Sequence, residues 1–222
     1  YDGFRFRDYP LIMGIDSLST PLHQAVKKLC EGPDGLYYAL LFQGGITCFD
    51  KDIEKFLPVR FDKALELKDI LDFCWNDGSL YLVTSQGLFE SRIVRKTEGK
   101  HDFVLCLLNP EPVVRGKVAH LCSDGKTNLY FSVNQRKVVH YDLVAKKTSL
   151  IKEYSVVNRL FLRHGYLWIC RLWDDIICYD LKTNEERVIS MEGKDQSEFS
   201  NSYVTDLVLK DNRTFYLTTW NG

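Results

Sequence analysis

Five times along the chain, an apolar residue followed by an aromatic one comes shortly after a dipeptide suited to a tight turn. The pairs are Leu36-Tyr37, Leu80-Tyr81, Leu129-Tyr130, Leu167-Trp168 and Phe215-Tyr216, spaced by 44, 49, 38 and 48 residues. The turns before them are Asp34-Gly35, Asp77-Gly78, Asp124-Gly125, His164-Gly165 and Asp211-Asn212. Gly, Asn and Asp reach the positive φ that a tight hairpin needs at little steric cost. Upstream of each turn runs a short alternating stretch: Val26 to Cys30, Ile70 to Cys74, Val118 to Cys122, Asn158 to Leu162 and Val204 to Leu209. A period of two puts one face of each strand on a core. The chain therefore reads as five copies of one hairpin-based unit.

The stretch from Asn158 to Ile189 shows the whole unit. An alternating strand carrying Leu160 and Leu162 turns at His164-Gly165 into Tyr166 to Cys170. A polar elbow, Trp173-Asp174-Asp175, leads to Ile176 to Tyr179, and the turn from Asp180 to Asn184 precedes Arg187 to Ile189. Four short strands in about forty residues is the rhythm of one β-propeller blade. The spacing predicts an all-β chain, a β-propeller of about five four-stranded blade repeats, with residues 1–222 forming a single propeller segment. Fourth strands are expected near Leu57 to Arg60, Phe103 to Leu108, Thr148 to Lys152 and Glu186 to Ile189. Polar stretches such as Glu98 to His101 and Glu192 to Ser197 read as surface loops. Tyr1 to Arg7 reads as the tail of a blade and Thr219 to Gly222 as the first half of one, so both ends are expected to fall within a blade.

Seven cysteines contain no CxxC pair and no zinc-like spacing with histidine. Cys30, Cys74 and Cys122 recur at one position of the unit, where Phe161 and Leu209 stand in the other two copies. A slot shared by Cys, Phe and Leu is an apolar packing position. Cys48, Cys106, Cys170 and Cys178 sit in apolar strand runs and take the same reading.

Composition narrows the classes of partner. Lys and Arg number 29 against 30 Asp and Glu, so no overall positive field attracts nucleic acid or an anionic membrane surface. No run of about 18 apolar residues is present, so no direct membrane insertion by this segment is expected. The chain also lacks a GxSxG elbow, a P-loop, an HExxH pair and a dinucleotide-binding glycine fingerprint. Neighbouring residues of a strand point to opposite faces, so Asp174 and Asp175 read as a solvated elbow, not a catalytic pair. His23, His101, His120, His140 and His164 occupy different positions of the repeat. No catalytic residue, metal site or cofactor is expected.

In a propeller, the loops between second and third strands and those entering the first strand gather at one end of the blades. The first set offers Gln43, Gln86, Gln135, Arg136, Arg171, Trp173, Asp174, Trp220 and Asn221; the second offers Gln24, Asn158 and Asn201. Amide and guanidinium donors beside indole rings suit a sugar, whose hydroxyl edge takes hydrogen bonds while its C–H face lies on the ring. Trp75, at the other end of its blade, reads as a packing aromatic.

These residues resemble the two-component regulator propeller repeats of extracytoplasmic sensors in Bacteroidetes hybrid two-component systems. Such a blade reads approximately Val-x-x-(Leu/Ile)-x-x-Asp-x-x-Gly-x-Leu-Trp-(Ile/Val)-Gly-Thr, then Gly-Leu and Tyr-Asp. Similar stretches here are Leu80 to Thr84 with Gly87-Leu88, and Tyr203 to Leu207 with Phe215 to Gly222. Tyr1-Asp2-Gly3-Phe4 and the linker Asp16-Ser17-Leu18-Ser19 also match. Only Trp168 keeps the indole at the anchor, and Asn134 to Lys137 lacks the Gly-Leu. The resemblance implies a fragment of a larger seven-bladed or tandem propeller. It further implies a periplasmic sensor for a carbohydrate or polysaccharide breakdown product, with more blades and a histidine kinase domain in the same polypeptide, a homodimer as one candidate partner, and a signal carried by a shift in propeller packing or dimer geometry. Two other readings stay open: a protein-interaction scaffold and a polysaccharide-cleaving propeller enzyme.

Overall fold

The computed structural model describes residues 25–42, 45–61, 70–95, 103–189, 203–210 and 214–219. These residues are all strands, turns and loops, and the expected four-stranded units are present. They fall into two compact units, residues 1–115 and 116–222.

In the first unit, β1 (Val26–Glu31), β2 (Tyr37–Leu41), β3 (Ile46–Asp50) and β4 (Lys55–Phe61) form one antiparallel meander. A second meander comprises β5 (Ile70–Asn76), β6 (Ser79–Thr84), β7 (Gly87–Arg95) and β8 (Phe103–Leu107). The short β9 (Val114–Arg115) pairs with the start of β7. The repeat alone suggests two separate four-stranded sheets. Instead, β4 and β8 pair in parallel over three rungs, Val59 with Phe103, Arg60 with Val104 and Phe61 with Leu105. This pairing links the outermost strands of the two meanders, whose backbone groups would otherwise be left as edges.

The second unit contains β10 (Val118–Ser123), β11 (Asn128–Val133), β12 (Lys137–Asp142) and β13 (Lys147–Glu153) in one sheet. A second sheet holds β14 (Val157–Arg163), β15 (Tyr166–Arg171), β16 (Ile176–Asp180) and β17 (Glu186–Ile189). The hairpin of β18 (Val204–Leu209) and β19 (Phe215–Thr219) follows.

The turns obey the predicted chemistry. Asp77-Gly78 and His164-Gly165 each place two successive residues at positive φ (44° and 77°, 52° and 81°), the geometry that matches the twist of flanking strands. Asp211-Asn212 lies outside the described residues. The repeat register is sharper than the dipeptides suggest. Across the first hairpin Cys30 faces Tyr38, and the corresponding rungs are Cys74 with Tyr81, Cys122 with Tyr130, Phe161 with Trp168, and Val208 with Tyr216. In the first hairpin the aromatic is thus Tyr38 and not Tyr37. The turn from Gly32 to Leu36 is longer than Asp34-Gly35 implies, closed by the Gly32 amide donating to the Leu36 carbonyl at 2.8 Å. In the last hairpin Val208, not Leu209, takes the slot.

Hairpins pack on one another through these rungs. In the first unit Tyr38, Phe73, Leu80, Leu82 and Leu105 belong to one buried cluster, with Trp75 against it. Trp75 meets the Tyr38 ring edge-on at 5.1 Å, the packing role expected of it. In the second unit Tyr130 is buried with Leu160, Leu167 and Ile169, and Trp168 with Cys170, Val204 and Leu207.

The seven cysteines are thiols, of which Cys48, Cys74 and Cys170 are buried. Burial pushes the thiols of Cys48 and Cys170 up to about 12, so both stay protonated and act as small apolar side chains.

Four of the inner strands break register at the same place, between Val26 and Lys28, Ile70 and Asp72, Val157 and Arg159, and Val204 and Asp206, and β10 breaks one residue later, between Ala119 and Cys122. A bulge re-aims a side chain out of the ladder. At two of these bulges the re-aimed side chain reaches the next inner strand: Lys27 Nζ donates to the Leu71 carbonyl at 2.6 Å, and Asn158 Nδ2 to the Val204 carbonyl at 2.8 Å. Beside the first pin, Lys28 and Asp72 form an ion pair at 2.8 Å. Burial works against the Lys28 charge, but the Asp72 carboxylate outweighs it and holds the ammonium above its ordinary range.

Gly87 explains the Gly-Leu of the repeat in physical terms. Its φ is +145°, and an added Cβ would collide with the Val114 carbonyl oxygen of β9. Gly125, also at positive φ, has open space around it. Gly125→Ala is therefore expected to cost about 1–2 kcal/mol of strain, and Gly87→Ala clearly more, because backbone must also move. Urea unfolding of the two variants checks the order.

Candidate functional site

The loops of the second unit bring several of the predicted residues together. The turn from β11 to β12 places Asn134 and Gln135 at positive φ (53° and 54°) and exposes Gln135 and Arg136. The linker from β13 to β14 runs alongside it. Tyr154 N donates to the Arg136 carbonyl at 3.0 Å and Val157 N to the Gln135 carbonyl at 2.7 Å. On the other side of that linker, Leu172 N donates to the Val156 carbonyl at 2.7 Å. Three chain segments thus lie side by side, so the two turns are about 10 Å apart, two strand spacings.

The elbow from β15 to β16 is held from within. Arg171 Nη1 pairs with Asp174 Oδ2 at 2.6 Å, and Arg171 Nε donates to the Asp175 carbonyl at 3.0 Å. Asp174 Oδ1 accepts the Asp175 amide at 2.8 Å, and its Oδ2 also accepts the Ser155 hydroxyl at 3.2 Å. These bonds close the elbow into a loop with Trp173 at its tip. Trp173 has φ +61° and 65% of its surface exposed. Left-handed backbone at a bulky residue costs of order 1–3 kcal/mol and persists where surrounding bonds over-determine it. Here that strain presents an indole to solvent where burial would otherwise be favoured.

A second group stands beside this one. Lys152 Nζ pairs with Glu186 Oε2 at 2.6 Å, and the Tyr154 hydroxyl donates to Glu186 Oε1. Burial alone would push the Glu186 carboxyl up, but the bonds from Lys152 and Tyr154, with Arg171 nearby, hold it below the usual carboxylate range. Burial and the same carboxylate push the Tyr154 hydroxyl well above the usual phenol range.

Of the predicted site residues, Gln135, Arg136, Arg171, Trp173 and Asp174 share this rim. Asn158, three residues after Ser155, is buried, with its amide on the Val204 carbonyl. Gln86 lies in the other unit, in the turn from β6 to β7, where its backbone N–H donates to Thr84 Oγ1 at 3.1 Å. Gln43, Trp220 and Asn221, with Gln24 and Asn201, lie outside the described residues. Sequence reasoning missed Ser155, Lys152, Tyr154 and Glu186. Ser155 sits in a linker with no periodic signal, and Glu186 meets Lys152 from 34 residues away.

His140 lies on β12 away from this rim. Its Nε2 is 2.6 Å from Asn128 Oδ1 and its Nδ1 3.2 Å from Ser149 Oγ, and its ring stacks on Tyr130 at 5.3 Å. Among the described residues, no group of three or more His, Cys, Asp or Glu could hold a metal ion, and no helix is long and apolar enough to cross a membrane.

No protein-family model matches the chain, and no curated protein matches it significantly. Solved structures do. An extracellular domain assigned to a one-component system of Bacteroides thetaiotaomicron superposes with a TM-score of 0.66 at 14% identity, over 94% of this chain and 29% of that one. An extracellular domain assigned to a hybrid two-component system of the same organism gives 0.64 at 12% identity, over 90% and 27%. The chain carries the β-propeller fold. It spans under a third of the length of those two domains. An auxiliary nutrient binding protein from Bacteroides thetaiotaomicron gives 0.53 at 16% identity, over 78% and 44%.

Because Glu186 titrates lower folded than unfolded, its carboxylate contributes stability above the unfolded value near 4.5, and that contribution is lost as pH falls through the folded value. Glu186→Gln is expected to flatten the loss of stability below pH 4.5 while weakening the protein at neutral pH. Denaturant unfolding at a series of pH values checks both signs.

Proposed function

We propose that this chain is a ligand-sensing propeller segment of an extracytoplasmic receptor of the two-component type, and that its ligand is an oligosaccharide held at the rim of Gln135, Arg136, Arg171, Trp173 and Asp174. The observation that carries the reading is Trp173: an exposed indole on strained backbone, clamped by the Arg171–Asp174 pair. A sugar ring stacks its C–H face on such an indole, and its hydroxyls meet the Asp174 carboxylate and the Gln135 amide. The distance between the two turns gives room for more than one sugar unit. The solved propellers of similar fold support the receptor part, since two of them are extracellular domains assigned to signalling systems and a third is a nutrient binding protein.

Binding alone transmits nothing; a signal needs a ligand that prefers one of two states. The rim supplies a route for such a preference. Ser155 and Val156 join the Trp173 elbow to the turn of the preceding sheet, so a ligand bridging the turns favours one spacing of the two sheets. The output in this reading goes to a histidine kinase carried elsewhere in the polypeptide, and the segment itself does no chemistry.

Titration of the protein with a library of plant, host and bacterial oligosaccharides, followed by calorimetry and by tryptophan fluorescence, tests the proposal. One class of oligosaccharide is expected to bind, and Trp173→Ala to weaken it by at least about tenfold, or 1.4 kcal/mol, with unfolding unchanged. Absence of binding across the library, or binding indifferent to Trp173, contradicts it.

A further inference from the structure

The aromatic rung of each hairpin is a position where like can be compared with like. Tyr38, Tyr81, Tyr130 and Trp168 are 1%, 4%, 7% and 7% exposed, whereas Tyr216 is 56% exposed and its partner Val208 53%. Wherever the cover of a buried member lies within its own unit, the next hairpin contributes to it, through the rung one step to the turn side of that hairpin's own aromatic rung. Tyr38 meets Trp75 and Leu80, which face each other across β5 and β6. Tyr130 lies with Leu162 and Leu167, which face each other across β14 and β15. Trp168 meets Phe215, at the turn-proximal end of β19, at 5.2 Å.

The other face of the β18–β19 hairpin is already used, since Val204, Leu207, Phe215 and Leu217 pack around Trp168, Cys170 and Ile176. We infer that Val208 and Tyr216 form the docking surface for a further blade of the same repeat, supplied by the same polypeptide, which covers Tyr216 with the apolar turn-proximal rung of its first hairpin. The surface continues an interface that the chain builds three times elsewhere. A second copy docking head to tail would present the Glu31–Tyr37 rung. That rung carries an exposed carboxylate where the rungs packed with Tyr38 and Tyr130 carry Trp75 and Leu162, and burying it against Val208 is unfavourable. Two solved structures of similar fold are also more than three times as long as the stretch they share with this chain, which leaves room for such a blade.

Hydroxyl-radical footprinting with mass spectrometry decides the matter, comparing the full-length gene product with residues 1–222 alone. Tyr216 is expected to oxidise severalfold more slowly in the full-length protein, while Tyr130 is slow in both, and oxidation of Tyr216 in the shorter chain is expected not to change with protein concentration. Equal oxidation of Tyr216 in the two proteins overturns the inference. Protection of Tyr216 in the shorter chain that grows with concentration overturns it in favour of a second copy.

Discussion

Burial of an aromatic side chain between consecutive hairpins, at Tyr38, Tyr130 and Trp168, is the interaction on which the rest of this structure depends. A two-stranded hairpin is marginal by itself in water, and the four-stranded units here are short. Three of them become stable layers because Tyr38, Tyr130 or Trp168 on the second strand packs with residues of the next hairpin. Fully burying a large apolar side chain is worth roughly 1.5–3 kcal/mol, so the layers are coupled through a few rings. The cysteines belong to this arrangement. Cys30, Cys74 and Cys122 face the ring across the rung, where a small, soft side chain leaves the aromatic its space.

Polar bonds add register to that apolar coupling. The bulge common to the inner strands frees Lys27 and Asn158 to hold the next inner strand by its carbonyls. An apolar contact tolerates sliding; a hydrogen bond from a buried amide to one carbonyl does not, because leaving it unmade costs the desolvation of both groups. At the outer end of the blades the loops are stitched by backbone bonds through residues 154–157, and this frame lets the Trp173 elbow keep a strained backbone. The rim is therefore an extension of the packing scheme, with strain at the place where an indole meets solvent.

Much of the fold was legible because a repeat shows itself five times over. Among the described residues, the inner strands and the fourth strands lie where periodicity places them, as do the turns at Asp77-Gly78 and His164-Gly165. The slip from Tyr37 to Tyr38 came from turn length: a Gly at positive φ marks a turn but does not say how many residues the turn spans. The parallel pairing of β4 with β8 was invisible, since edge strands reveal nothing in sequence about what they meet. The rim was legible in part. Gln135, Arg136, Arg171, Trp173 and Asp174 stand out in the sequence by their shared position in the repeat, and the structure places them on neighbouring loops. Ser155 and Glu186 were not, because contacts between a linker and an elbow, or across 34 residues, follow from packing and leave no local pattern. Asn158 was found for its polarity, and the structure adds that its amide is buried on Val204.

The most direct test of the account compares one slot of the repeat in its covered and uncovered forms. In urea unfolding of residues 1–222, Trp168→Ala and Tyr130→Ala are predicted to cost about 3–5 kcal/mol each, as large-to-small changes in a packed core do. Tyr216→Ala, at the same slot but exposed, is predicted to stay within about 0.5 kcal/mol of the parent. Equal losses at Tyr216 and Trp168 would contradict the claim that cover by the next hairpin is what stabilises each blade.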